Sequence, residues 1–260
     1  MSGIPATVPQ GPVVLSPHAD DAVWSLGGRL ARWVAEGLRP TVVTVFAGPA
    51  AGAPGSWRAA ADPAVRQAED RAACAELGVR HVPLDFTDAA LRTASGTYRY
   101  ASPRRLFGPW HPADLPLLDE VRAALRPLCA GAASVHAPLA AGRHVDHRLV
   151  RGAVEALAPA RTVFYEDFPY RLRERDHANL RPRTERLPSA AVDRWLTAAG
   201  HYTSQAGAHF GGVAALREAL LARARAHGGA GGPVHADRHW VPVGRDDRGE
   251  ARPALVERGP

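Results

Sequence analysis

Short apolar runs alternate with longer amphipathic stretches along this chain, and that alternation restricts it to one class of fold. PVVL (12–15), TVVTVF (41–46), HVPL (81–84), SVHAPL (134–139) and TVFYED (162–167) are four to six residues long. They are rich in β-branched residues and mostly apolar, as strands covered on both faces must be. Between them, residues 23–36, 65–77, 115–128 and 147–157 carry apolar side chains at helical spacing. In the first of these, Val23, Leu26, Leu30, Trp33 and Val34 share a face, and Gly37 supplies a stop. The pattern predicts a Rossmann-like α/β fold, a mostly parallel sheet flanked by helices. After Pro169 it is less regular. Helices are expected near 189–206 and 212–226, then glycines at 228–232 and a last strand, HWVPV (239–243). These read as C-terminal helical decorations on a single domain spanning 1–260, with a core of about 12–243 and a polar tail of about 244–260.

Composition closes off other readings. No apolar run approaches the ~20 residues needed to span a bilayer. The opening MSGIPATVPQGPVV lacks the basic region and apolar block of a secretory signal. A cytoplasmic protein without membrane contact is the expectation. The net charge of +6 invites a nucleic-acid reading, but all 32 basic residues are arginines and they are dispersed. The densest stretch, RLRERDHANLRPRTER (171–186), interleaves them with Asp and Glu as a solvated surface does. No nucleic-acid partner is expected. Cys74 and Cys129 form no CxxC pattern and sit in helical stretches, so both read as small buried hydrophobes.

In a sheet of this kind, ligands bind beyond the carboxyl ends of the strands. Two polar clusters lie at such ends. SPHADDA follows the first strand and supplies His18, Asp20 and Asp21; GRHVDH follows the fourth and supplies His144, Asp146 and His147. Two imidazoles and one carboxylate suit Zn2+ with positions left open for water and substrate, and Fe2+ suits the same set. A remaining carboxylate can act as general base and a His–Asp pair as acid, which completes the parts of a metal-assisted hydrolase. Each cluster alone has a plainer reading. A DD pair at a strand end is usually a helix N-cap, and an HxxH is often a surface accident. Their joint occurrence at one sheet edge favours the catalytic reading. Gly27 and Gly28 fall inside the helix pattern rather than in a G-x-G-x-x-G turn, which argues against a dinucleotide site.

SPHADDAVWSLGG and GRHVDHRLV resemble the two signatures of the PIG-L/LmbE-like family of zinc-dependent N-deacetylases. Weaker similarities lie at Arg66–Asp70, TDAALR (87–92), YEDFPY (165–170) and YTSQ (202–205), so the likeness spans roughly 12–243. The resemblance implies that His18, Asp21 and His147 bind zinc and that Asp20 is the base. It implies that His144 is the acid or electrophile and that Asp146 orients it. Ala19 stands where the family has Pro, and Ala22 where it has Glu. The second change removes a partner that could support the metal-binding histidines. Some relatives carry a Tyr just before the second motif that assists the oxyanion; here Gly142 and Arg143 occupy that place, with Arg143 either a substitute or a surface residue.

Further substrate-binding candidates are Arg66, on the helix after a small-residue loop, and Glu166 with Asp167, at the end of the fifth strand. Trp110 is another, in the irregular stretch 86–114 that also holds Tyr98, Tyr100, Phe107 and His111. Trp24 and His136 read as core residues. The expected function is removal of an N-acetyl group from an amino sugar or glycoside, a small-molecule substrate, in specialised metabolism. The alternatives are an amidase or esterase for another acyl group, and a non-catalytic sugar-binding protein on the same scaffold. The latter should have lost a ligand or the base, and none is missing.

Overall fold

The computed structural model describes residues 10–50, 62–229 and 234–243. Part of the small-residue loop at 48–57 and the expected polar tail lie outside the described residues. Seven strands form one sheet in the order β3-β2-β1-β6-β7-β9-β8. β1 (Pro12–Ser16), β2 (Thr41–Thr44), β3 (Arg80–Pro83), β6 (Ser134–Pro138) and β7 (Thr162–Tyr165) run parallel. β9 (Ala236–Pro242) joins β7 antiparallel and carries β8 (Leu180–Arg186) on its outer edge. Every residue of β1 is buried, with Val14 flanked by Val42 on one side and His136 on the other. From β1 the chain winds outward to β2 and β3, then crosses to β6. The gap between β1 and β6 is therefore the topological switch point, where the loops splay apart and leave a crevice.

Helices α1 (Asp21–Ala35) and α2 (Pro63–Leu77) cover one face of the sheet, beneath α6 (Ser189–Ala199), α7 (Thr203–Phe210) and α8 (Val213–Gly228). Helices α4 (Leu117–Cys129) and α5 (Val145–Leu157) pack on the other face. The stretch 86–114 is a 3₁₀ turn at Ala89–Leu91, a small hairpin of β4 (Thr93–Ala94) and β5 (Thr97–Tyr98), the short helix α3 (Pro103–Leu106) and a second 3₁₀ turn at Pro112–Asp114. No helix among the described residues is long and apolar enough to cross a membrane.

Three features depart from the sequence expectation. The helix foreseen over 189–206 is two helices, because Glu69 of α2 captures the Ser204 N–H and the Thr203 and Ser204 hydroxyls and starts α7 afresh. The charged stretch 180–186 forms strand β8, alternating half-buried and exposed residues. It is the outermost strand, where charge discourages pairing with another chain. The C-terminal helices also contribute Trp195, Tyr202 and Leu216 to the same core as α1. Gly27 shows how closely α1 and α6 pack: a Cβ there would lie 2.1 Å from Trp195 Cδ1, whose indole N–H donates to Val23 O at 2.7 Å. Gly27→Ala is expected to destabilise the fold by roughly 1–3 kcal/mol through overpacking, measured by denaturant unfolding. An unchanged midpoint would show that α6 yields freely.

Candidate metal centre and active site

The first motif forms a turn shaped by side-chain bonds, with Phe46 N–H reaching Pro17 O at 2.9 Å behind it. Ser16 Oγ donates to His18 O at 2.6 Å and accepts from Ala22 N–H at 2.9 Å. Asp21 Oδ2 accepts from His18 N–H at 2.9 Å. Asp20 occupies the N-cap position of α1, yet its side chain caps nothing and its backbone is held at φ 120°, ψ −43°. A non-glycine residue there is strained by about 1–3 kcal/mol, which surrounding structure must offset. The plain helix-cap reading of Asp20 therefore does not apply; its carboxylate is left facing the crevice.

Three ligand atoms converge above the switch point. Asp21 Oδ2 lies 3.3 Å from His18 Nδ1 and 3.2 Å from His147 Nε2. Atoms held tetrahedrally at about 2.1 Å from one zinc ion are about 3.4 Å apart, so these spacings fit such an ion. Each histidine is also supported from behind. His147 Nδ1 meets Asp167 Oδ1 at 2.6 Å, and His18 Nε2 meets Asp146 Oδ2 at 3.0 Å. This carboxylate support fixes the tautomer that turns the other ring nitrogen toward an ion. All five side chains are buried. His18, Asp21 and His147 are the residues that would hold the metal. His144 also brings a ring nitrogen within 4.8 Å of those of His18 and His147.

Charge around the site points the same way. Burial drives the His18 imidazolium down, but Asp88, Asp146 and Asp21 outweigh it and push it up to about 9. Burial opposes the Asp21 charge, but His147 and His18 hold its carboxyl well below the usual range. A divalent ion among these carboxylates would supply the positive charge that protonated His18 and His147 otherwise provide. Asp20 differs from Asp21. Burial raises it, Arg66 opposes, Asp21 adds, and the balance lies at about 7. His144 is pushed down to about 3, first by burial and then by His18. Its Nδ1 accepts the Asp146 N–H at 3.2 Å, which leaves the proton of the neutral ring on Nε2.

A cavity of about 390 Å³ opens onto this centre. Asp20, Asp21, His18, His144 and Arg66 lie at its polar end; Leu106, Phe107, Phe168 and Pro169 form an apolar wall. Tyr170 overhangs it, with its ring 5.6 Å from that of His147 and its hydroxyl free of hydrogen bonds among the described residues. Arg66 donates to Ala19 O at 3.0 Å and pairs with Asp20 and Asp88.

The PIG-L family profile, described as GlcNAc-PI de-N-acetylase, matches residues 13–158. The chain belongs to the PIG-L family. It is 36% identical over 192 residues to a 2'-N-acetylparomamine deacetylase of Streptomyces fradiae, an alignment that covers 70% of this chain and 66% of that protein. The chain thus spans just under two thirds of that relative's length. Among solved structures, the A40926 pseudoaglycone deacetylase Dbv21 superposes with a TM-score of 0.70 at 28% identity, over 90% of this chain and 96% of that one. The zinc-inhibited form of teicoplanin deacetylase Orf2 superposes with a TM-score of 0.73 at 26% identity, over 88% and 97%.

Residues that the sequence singled out for other roles, or not at all, complete this PIG-L centre. Asp146 was expected to orient His144 through its carboxylate. Instead that carboxylate binds His18, Arg92 Nη2 at 2.6 Å and the Ala89 N–H at 2.9 Å, and only its backbone N–H reaches His144. Asp88 and Arg92 come from TDAALR, and Asp167 from YEDFPY. Glu69 and Asp70 explain two other weak stretches together. Glu69 starts α7, and Asp70 Oδ1 accepts the Tyr202 hydroxyl at 2.6 Å. That clamp places Gln205 and His209 on the cavity rim. Trp24 is buried against Phe168, Tyr202 and Phe210, with an edge on the cavity.

Three substrate-binding candidates lie elsewhere. Trp110 is turned inward, its indole N–H donating to Val145 O at 3.1 Å; Phe107 takes the cavity position instead. Arg143 borders a separate groove. Glu166 is engaged by Arg238 Nε at 2.5 Å, Trp240 Nε1 at 2.9 Å and His227 Nε2 at 3.4 Å.

Two outcomes are expected. Asp167→Asn should weaken metal binding by about 10–100-fold, read by competition with a chelating dye, because it removes the carboxylate behind His147. Unchanged affinity would deny Asp167 that role. Burial raises the Glu166 carboxyl, but His227, Arg238 and Arg223 overcome it and hold it at about 2. Its folded value is depressed, so its stabilisation is full above about 4.5 and is lost as pH falls toward about 2. The difference in melting temperature between the protein and Glu166→Gln should therefore shrink from pH 6 to pH 3. A constant gap would contradict the ion cluster.

Proposed function

We propose that this protein is a metal-dependent N-deacetylase of an amino sugar or glycoside. The observation that carries the reading is the placement of Asp21 Oδ2 between His18 Nδ1 and His147 Nε2, with the carboxylate of backbone-strained Asp20 beside them in the same cavity. Zinc held by those three residues would polarise the amide carbonyl and acidify water; iron(II) suits the same donors. Asp20, balanced near neutrality by burial against Arg66, accepts the proton of the attacking water. His144, kept neutral, donates its Nε2–H to the oxygen that gains charge as the carbonyl becomes tetrahedral. The proton taken up by Asp20 is then available to the departing amine. This favours the electrophile role over the acid role for His144. Arg66 holds Asp20 in place and presents its guanidinium to the cavity.

The named relatives support an amino-sugar substrate, since they are deacetylases of paromamine- and glycopeptide-type compounds. The apolar wall favours a second reading alongside it. Leu106, Phe107 and Phe168 offer room for an acyl chain longer than acetyl or for an apolar aglycone.

Asp20→Asn should keep its metal and lose roughly 10²–10⁴-fold in kcat/KM. Metal analysis beside amine-release kinetics checks both halves, and near-normal turnover would place the base elsewhere. On a panel of N-acetylated sugars, N-acyl sugars with longer chains and simple N-acyl amino acids, the sugars should be cleaved. Cleavage of the amino acid amides alone would replace the deacetylase by an amidase.

A further inference from the structure

A second groove, of about 380 Å³, borders the segment that carries His144. Four arginines line it: Arg143, Arg148, Arg151 and Arg175. Two are fixed. The Arg148 guanidinium lies 4.8 Å from the Trp110 ring centroid and donates to Gly108 O at 2.9 Å. Arg151 donates to Leu139 O at 2.6 Å and to Asp176 O at 2.8 Å. The other two, Arg143 and Arg175, are exposed, and their side chains have no partner among the described residues.

The groove's carboxylates do not balance this charge. Glu155 is occupied by Arg151 Nε at 2.8 Å, and Asp176 Oδ2 accepts the Arg173 N–H at 2.8 Å. Arg143 also sits at φ 70°, directly before His144, in a backbone region that non-glycine residues rarely adopt. Like charges gathered in a concave site, two of them exposed and without a partner among the described residues, attract a planar or tetrahedral oxyanion.

We infer that this groove binds a carboxylate or phosphate carried by the substrate beside the sugar whose acetamide is cleaved. The inference rests on the deacetylase reading for its link to turnover. Arg143 and Trp110 are then specificity residues, flanking His144 and Val145 on the groove side rather than lining the metal cavity. Acid-bearing glycosides are preferred over polycationic ones.

Titration of the metal-loaded protein with sodium sulfate at low ionic strength tests the groove without catalysis. Binding in the millimolar range or tighter is expected, weakened about tenfold or more in Arg175→Glu and in Arg143→Gln. Kinetics then compare N-acetylglucosamine 1-phosphate with methyl N-acetylglucosaminide. Arg175→Glu should raise KM about tenfold for the phosphorylated sugar and leave the neutral one as it was. No sulfate binding by the unaltered protein overturns the inference. So does sulfate binding that the substitutions leave intact, or a KM change equal for both sugars. If neither sugar is turned over, the deacetylase reading fails for these sugars, while loss of sulfate binding in the variants still establishes the oxyanion site.

Discussion

Everything around this centre follows from burying several carboxylates where three parallel strands end. Asp21 after β1, Asp146 after β6 and Asp167 after β7 lie within one shell of side chains, and each is almost wholly withdrawn from water. Like charges so placed are tolerable only if cations are interleaved with them. The chain supplies His18 and His147 between them and Arg92 behind Asp146. The result is an alternating acid–base chain that fixes the carboxyl edges of β1, β6 and β7 relative to one another. The side chains proposed to hold a metal are thus also the bond that ties these strand ends together.

The surroundings divide the labour. Arg92 is clasped by Asp114, which also accepts the Tyr100 hydroxyl at 2.6 Å, so the otherwise irregular stretch 86–114 is tied to the floor of the site. With Ala22 where a glutamate was expected, His18 and His147 take their carboxylate partners from Asp146 and Asp167, which follow other strands. Gly142 has a comparable explanation. A Cβ there would lie 2.5 Å from the Tyr170 ring, so the small residue admits an aromatic from a different loop to the cavity roof.

The fold was legible because strand burial and helix periodicity are local properties. PVVL, TVVTVF and SVHAPL each match a strand to within two residues, and the two polar motifs meet as strand-end residues must. Strand β8 was hidden by its charge: an outer strand needs only one covered side, so LRPRTER carries no apolar signature. Type and spacing offer two imidazoles and one carboxylate among six candidates, and only the family resemblance singles out His18, Asp21 and His147. The partners of Asp146 could not be named, since Arg92 lies 54 residues away in sequence and nothing local marks the pair. Trp110 and Glu166 looked by type like residues that face the cavity at the metal centre. Their actual bonds, to Val145 O and to an arginine cluster, depend on tertiary geometry.

Helix α7 has an odd pedigree as a cavity wall. It is held at its first turn by Glu69 and through Tyr202 by Asp70, both on α2, and none of these groups touches the residues proposed to hold the metal. Gln205 and His209 therefore stand on a bracket fastened to the scaffold rather than to the reaction centre. Drift along that wall can reshape what the cavity admits while the residues proposed to carry the hydrolysis are inherited intact. A lineage built this way can acquire new substrates one side chain at a time without first surrendering its chemistry.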